Sequence, residues 1–319
     1  MPEAMIPADT ATYISLSGLI RLQADARALR LPSARPVSSR QAGLQRSPRK
    51  GRGMAFAEVR QYQAGDDIRS IDWRVTARRQ TPHTKLYEEE RERPLMLICD
   101  LSNSLYFGSV GAYKQVRCAQ LAALLAWLGL WSGDQVGGIV FNDQHIDVLR
   151  PARRKKTVLK LLDNLAHFQH QPKDPLPVRV EDSTSPITID TALQEALRVS
   201  HTGGRVFVVS DFLSISDATT GLLASISRHN QVTAIRIADP LERTLPGSGR
   251  FAIAGPEGPM WFDAANSSFR SAYNNRVRHH EERLAQCFLR SAVDAHTVST
   301  GDDPARILKS MLGPRGQLR

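Results

Sequence analysis

The chain has 319 residues, 41% of them hydrophobic and 23% charged, which is enough apolar material for a sizeable core and excludes a disordered polypeptide. Its longest apolar run, LAALLAWLGLW at 121–131, is about half of what crosses a bilayer, and the first ten residues lack the basic flank and apolar centre of a secretory leader, so a cytoplasmic protein is expected. The formal charge of +10 sits mostly near the start, since residues 21–93 hold 17 Lys/Arg against 9 Asp/Glu. Cys99, Cys118 and Cys287 are odd in number and far apart, so buried free thiols are expected, not a disulfide framework or a zinc site.

In chain order, residues 12–30 predict a helix with Leu16, Leu19, Ile20, Leu22, Ala26 and Leu29 along one stripe. From Ala26 to Ala57 there are eight basic residues and no acidic one, interleaved with Pro32, Pro36, Pro48, Gly43, Gly51 and Gly53, which predicts a basic loop or arm. Such an arm suits phosphates or an acidic partner. With no aromatic side chain among the charges to stack on bases, a solvated loop is preferred and nucleic-acid binding is kept as an alternative.

From residue 94 strands alternate with helices. PLMLICD reads as a buried strand, 113–131 as a helix, DQVGGIVFN and HIDVLRP as a hairpin, and 152–168 as a helix. After a Pro-rich link at 171–187 come a helix at 189–200, the strand GGRVFVVSD, a helix at 216–229 and the strand QVTAIRIAD. A hairpin at 250–263, a long helix at 266–291, a strand near 295–299 and a helix at 303–312 complete the pattern. All-apolar strands joined by crossover helices predict an α/β fold, a doubly wound and mostly parallel Rossmann-like sheet. The expected divisions are an N-terminal helix and arm at 1–50, a smaller β-rich subdomain at 51–93 and the α/β domain at 94–319. The basic start of the helix at 152–156 opposes the helix dipole, and His279 and His280 lie on a charged helix; both are read as solvated.

In open α/β sheets, sites form at the carboxyl ends of strands where strand order reverses. Asp100 stands at such an end, and the alternation Asp100-Leu101-Ser102-Asn103-Ser104 turns three oxygens to one side. Hard oxygens with one charge among them and no soft ligand suit Mg²⁺, or another hard divalent cation, better than Zn²⁺. Asp211 ends a second strand, and Thr188 precedes a helix between them. This set resembles the metal-ion-dependent adhesion site of von Willebrand factor A domains. The resemblance implies that Ser102 and Ser104 bind the metal directly, Asp100 and Asp211 directly or through water, and Thr188 as the switchable ligand, with Thr191 the other candidate for that place.

The segment before the sheet, GRGMAFAEVRQYQAGDDIRSIDWRVTARR at 51–79 followed by LYEEERERPLMLICDLSNS, resembles the signature of the DUF58 family. Its carriers are Gly51, Gly53, Phe56, Arg60, Tyr62, Gly65, Asp66, Asp67, Arg69, Ile71, Asp72, Trp73, Ala77 and Arg78. Read from the residues alone, Asp66, Asp67 and Asp72 alternating with Arg60, Arg69, Arg74 and Arg78 predict a charge-locked module in which Trp73, Tyr62 and Phe56 supply buried area. A second metal or catalytic site and a docking surface are the other readings of this segment.

The leading functional expectation is a non-enzymatic, metal-dependent interaction module whose protein partner presents an acidic residue. The DUF58 resemblance implies a MoxR-type AAA+ ATPase as partner, in assembly or activation of protein complexes. The enzymatic alternative is a Mg²⁺-dependent hydrolase or phosphotransferase. Against it, an aspartyl-phosphate phosphatase needs a second Asp where Ser102 stands, and no nucleophile elbow is present.

Overall fold

The computed structural model describes residues 10–31, 54–63, 68–89, 93–170, 186–255 and 258–313. Their contacts divide the chain into two units, one of Met1–Val37 with Arg93–Arg319 and one of Ser38–Glu92. In chain order the elements are α1 Leu16–Arg21, α2 Gln23–Ala26, β1 Met54–Gln61, α3 Trp73–Arg79, β2 His83–Glu89, β3 Pro94–Asp100 and α4 Lys114–Trp131. Then come β4 Gln135–Phe141, β5 Ile146–Ala152, α5 Lys155–Phe168, α6 Ile189–Val199, β6 Arg205–Ser210, α7 Asp217–Ser227 and β7 Gln231–Ala238. The last are α8 Pro240–Arg243, β8 Arg250–Gly255, β9 Gly258–Asp263, α9 Ser267–Arg290, β10 Asp294–Ser299 and α10 Pro304–Leu312.

In the smaller unit β1 and β2 pair antiparallel, and α3 lies between them in sequence. Asp72 caps α3 by accepting the amides of Arg74 (3.0 Å) and Val75 (3.3 Å), and the hydroxyl of Thr76 accepts the amide of His83 (3.0 Å). Against expectation, Trp73 is not a core residue of this unit, being 69% exposed. The cap makes Trp73 the first residue of α3, and it is the half-buried Val75 and Thr76 that turn inward instead. Asp66 and Asp67 lie outside the described residues, as does most of the basic arm.

The larger unit is built on a six-stranded sheet in the order β10-β7-β6-β3-β4-β5. Every pair in it is parallel except β4 with β5, which is the doubly wound, mostly parallel α/β architecture expected from the sequence. Side chains alternate between two covered faces, which explains why the central strands β3, β4 and β6 are apolar along most of their length. Leu95, Leu97 and Cys99 of β3 belong to the core on one face, with α1, α2, α4, α5 and α10, while Met96 and Ile98 belong to the other, with α6, α7 and α9. The paired glycines of β4 meet close neighbours on both sides. A Cβ on Gly137 would stand 2.6 Å from the backbone of Leu149, and one on Gly138 the same distance from the side chain of Leu161 on α5.

Winding runs from β3 outward to β4 and β5, then back across to β6 on the far side of β3. The reversal of order therefore falls between β3 and β6, and their carboxyl ends open the crevice in which sites of such sheets form. All three cysteines are buried and free, and His279 and the basic residues 153–156 are exposed, as expected, whereas His280 is half-buried. No helix among the described residues is long and apolar enough to cross a membrane.

The helix expected at 12–30 forms as two short helices followed by tight turns in which the amides of Arg27, Ala28 and Leu29 bond three residues back. Ser15 sets the start by capping Gly18. The segment before it is held by two side-chain amides that substitute for a β partner. Gln169 accepts the Ile14 amide and donates to the Ile14 carbonyl, both at 3.1 Å, and Gln115 donates to the Thr12 carbonyl at 2.6 Å. Gln169 is 3% exposed, so Gln169→Leu strands both backbone groups of Ile14 away from water. It is expected to lower stability by about 2–4 kcal/mol in urea unfolding, with Gln169→Glu intermediate because it still accepts the amide.

Candidate functional site

β3 and β6 are hydrogen-bonded neighbours in register, Cys99 beside Val209, so the residues that follow them emerge side by side. Asp100 ends β3 and Asp211 follows β6. The chain after β3 continues its ladder one step further, the Leu101 amide bonding to the Phe141 carbonyl (2.8 Å). Leu101 and Leu105 turn into the core while Ser102 and Ser104 stay half-exposed, which is the alternation the sequence implied. A pocket of about 140 Å³ results, and Asp100, Ser102, Ser104, Thr188 and Asp211 all line it. The structure thus brings the five expected site residues together, and Thr188, not Thr191, is the threonine of the pair that lines the pocket. Thr191 sits one turn into α6, where its hydroxyl accepts the Thr188 amide (3.5 Å).

Asp100 is enclosed. One carboxylate oxygen accepts the Ser102 amide at 2.9 Å and the other the Ser210 hydroxyl at 2.6 Å. Burial, and next the negative charge of Asp211, push its carboxyl up to about 6, against the opposing pull of hydrogen bonds from Ser210 and Ser102. The Ser102 and Ser104 hydroxyls lie 3.2 Å apart, so two hydroxyl oxygens and a reluctant carboxylate share one corner.

Asp211 is restrained differently. Its Oδ2 takes a hydrogen bond from the ammonium of Lys114 at 2.9 Å and its Oδ1 one from the Leu213 amide at 3.1 Å. Lys114, fully buried, also donates to Glu242 of α8 at 2.5 Å. Burial opposes its charge, but Asp211 and Glu242 outweigh that and hold the ammonium above its usual range. Between Asp211 and Leu213 the backbone of Phe212 adopts φ = +54°, a conformation costly for a bulky residue. It is held there by burial, by the Phe212 amide bonding to Ser210 Oγ (2.9 Å) and by an edge-on contact with Phe288 (5.2 Å).

Several participants were not anticipated from the sequence. Asp143, in the β4–β5 turn, lines the pocket and accepts the Asn103 amide at 2.6 Å. Asp239, fully buried after β7, accepts from the Ser109 amide and hydroxyl and from the Thr300 hydroxyl. Burial works against its charge, but these bonds hold its carboxyl below the usual range. The one signal available for Lys114 was its place at the first residue of an apolar helix, where a positive charge opposes the dipole. Among the described residues no group of three or more His, Cys, Asp or Glu side chains is arranged to hold a metal ion, so any cation here would rely on hydroxyl ligands.

The chain matches the family described as "Protein of unknown function DUF58" over residues 58–283. It is 30% identical over 211 residues to the uncharacterized protein Rv1480 of Mycobacterium tuberculosis, covering 65% of this chain. The chain spans 62% of the length of that relative. Among solved structures, a conserved hypothetical protein BatB from Bacteroides thetaiotaomicron aligns with TM-score 0.43 and 14% identity over 69% of this chain and 95% of that one. A von Willebrand factor type A protein from Catenulispora acidiphila aligns with TM-score 0.38 and 10% identity, covering 72% of this chain and 43% of that one.

The state of Asp100 sets a pH dependence of stability. Its folded carboxyl holds a proton up to about 6 against 3.8 for the ordinary group, so protonation favours the folded state. The contribution is fully present below the lower value and is lost as pH rises through the upper one. In urea unfolding without divalent cations, Asp100→Asn is expected to exceed wild type by ~2 kcal/mol at neutral pH, with the gap closing as pH falls toward the lower value.

Proposed function

This chain belongs to the DUF58 family, and we propose that it is a non-enzymatic interaction module that holds a divalent cation, Mg²⁺ in the first place, at the ends of β3 and β6. Asp100, Ser102 and Ser104 would hold the ion, with Thr188 and Asp211 completing the set. The donors fit such an ion: all are hard oxygens, and Asp100, whose charge is disfavoured by burial and by Asp211, is a carboxylate that a nearby cation relieves. When bound, the ion supplies an electrophilic centre to which an acidic side chain of a partner protein can add.

The observation that carries the reading is the convergence of an enclosed carboxylate and a pair of adjacent hydroxyls at the point where strand order reverses. The side chains give catalysis little support. Among the described residues lining the pocket there is no His or Cys, the hydroxyls of Ser102 and Ser104 face each other, and the nearby lysine is taken up by two carboxylates. The serine that does sit on a carboxylate, Ser210 on Asp100, is buried and its oxygen accepts the Phe212 amide, whereas acyl or phosphoryl transfer through a serine needs both a base and an open path to the substrate. The family resemblance suggests a MoxR-type AAA+ ATPase as the partner, and that partnership, with the cytoplasmic setting expected from the sequence, is part of the proposal.

Two measurements test it. Millimolar Mg²⁺ or Mn²⁺ is expected to stabilise the wild type by ~1–3 kcal/mol and to leave Asp100→Ala unchanged. Affinity capture from the native cells is expected to recover partners with wild type, and to lose them with EDTA or with Asp100→Ala. Equal recovery under all these conditions rejects a metal-bridged contact.

A further inference from the structure

Lys114 is the least expected side chain of this region. It opens an 18-residue helix, where its charge meets the positive end of the dipole, and no part of it reaches solvent. Burying an ammonium costs several kcal/mol and an apolar residue would fill the same space, so stability is a weak reason for its presence. Its two partners come from different places in the sheet: Asp211 follows β6 and Glu242 lies on α8 after β7. With the Leu213 amide on the other oxygen, both oxygens of Asp211 are engaged within the chain. Asp100 is the one expected carboxylate ligand that Lys114 does not hold, although Ser102 and Ser210 bond it.

We propose that Lys114 is a positioning residue that limits the cation affinity of this site: a built-in positive charge that binds Asp211, keeps it from serving as a strong ligand, and cancels part of the negative potential that would draw a divalent ion. This inference rests on the metal-site reading above. Glu242 works in the opposite sense, because it shares the ammonium with Asp211 and so weakens the hold of Lys114 on that carboxylate. The pair therefore sets the affinity from both sides, Lys114 lowering it and Glu242 raising it. A site tuned in this way binds its ion loosely until another carboxylate joins the shell.

The test is titration of Mn²⁺ into the full chain at fixed ionic strength, with free ion followed by electron paramagnetic resonance. Removing a unit positive charge within a few ångströms is expected to make Lys114→Met bind Mn²⁺ at least ~10-fold more tightly than wild type, and Glu242→Gln to bind it several-fold more weakly. Circular dichroism establishes that each variant is folded. A folded Lys114→Met with wild-type or weaker affinity overturns the proposal. Should Lys114→Met fail to fold, Glu242→Gln decides alone, since its carboxylate is partly exposed, and unchanged or tighter binding by it overturns the proposal equally. Asp100→Ala separates the two ideas. Saturable binding by wild type that is lost in Asp100→Ala but indifferent to Lys114 and Glu242 removes only the role given to Lys114. Absence of saturable binding in wild type and in every variant removes the metal site and this inference together.

Discussion

Two carboxylates brought to adjacent strand ends and both buried, Asp100 and Asp211, are the constraint around which the carboxyl edge of the sheet is organised. Neither is left bare. Asp100 is met by hydrogen bonds and a shift toward its neutral form, Asp211 by a buried ammonium. The difference follows from position. Asp211 lies within reach of the first turn of α4 and Asp100 beside the hydroxyl of Ser210, so one carboxylate is balanced by charge and the other by dipoles.

The surrounding turns are tied to this arrangement more than to one another. Lys114 links the first turn of α4 to the ends of β6 and β7, and Asp239 draws together the loop before α4 and the turn after β10. Asp143 anchors the serine loop to the β4–β5 turn. The positive φ of Phe212 is the visible strain of this construction, and it falls beside Asp211, where a displaced backbone would move a carboxylate that lines the pocket. Strain of this kind persists where surrounding contacts over-determine it, as the buried Phe212 ring against Phe288 does.

Much of the fold could be read from periodicity. The run 95–99 is apolar at every position because both faces of β3 are covered, and the turn residues between runs marked the crossovers. Where reading failed, local signals competed with tertiary ones. Trp73 carries the apolar area of a core residue, yet the cap made by Asp72 fixes the start of α3 and leaves the ring exposed. Residues 12–30 have a helical stripe, yet Gln115 and Gln169 hold the first part of that segment by its backbone groups. Their contribution lies in hydrogen bonds between residues more than a hundred positions apart, which no window of sequence contains.

The five candidate site residues, which line one pocket, were legible because each sits at a boundary the sequence marks: a strand ending in Asp, hydroxyls at alternate positions, a Thr before a helix. Their convergence depended only on strand order, and a parallel α/β pattern restricts that order tightly. The charge balance was a different matter. Lys114 opens α4, Glu242 lies on the short helix α8, and Asp143 and Asp239 sit in turns; beyond the unfavourable place of Lys114 at a helix start, nothing local marks them as buried or paired. By itself the sequence determined which oxygens face the crevice, since alternation along a strand is a property of the backbone. Only the tertiary structure decided which of them are neutralised from within, because burial and the distance between charges exist only once separate elements are packed together.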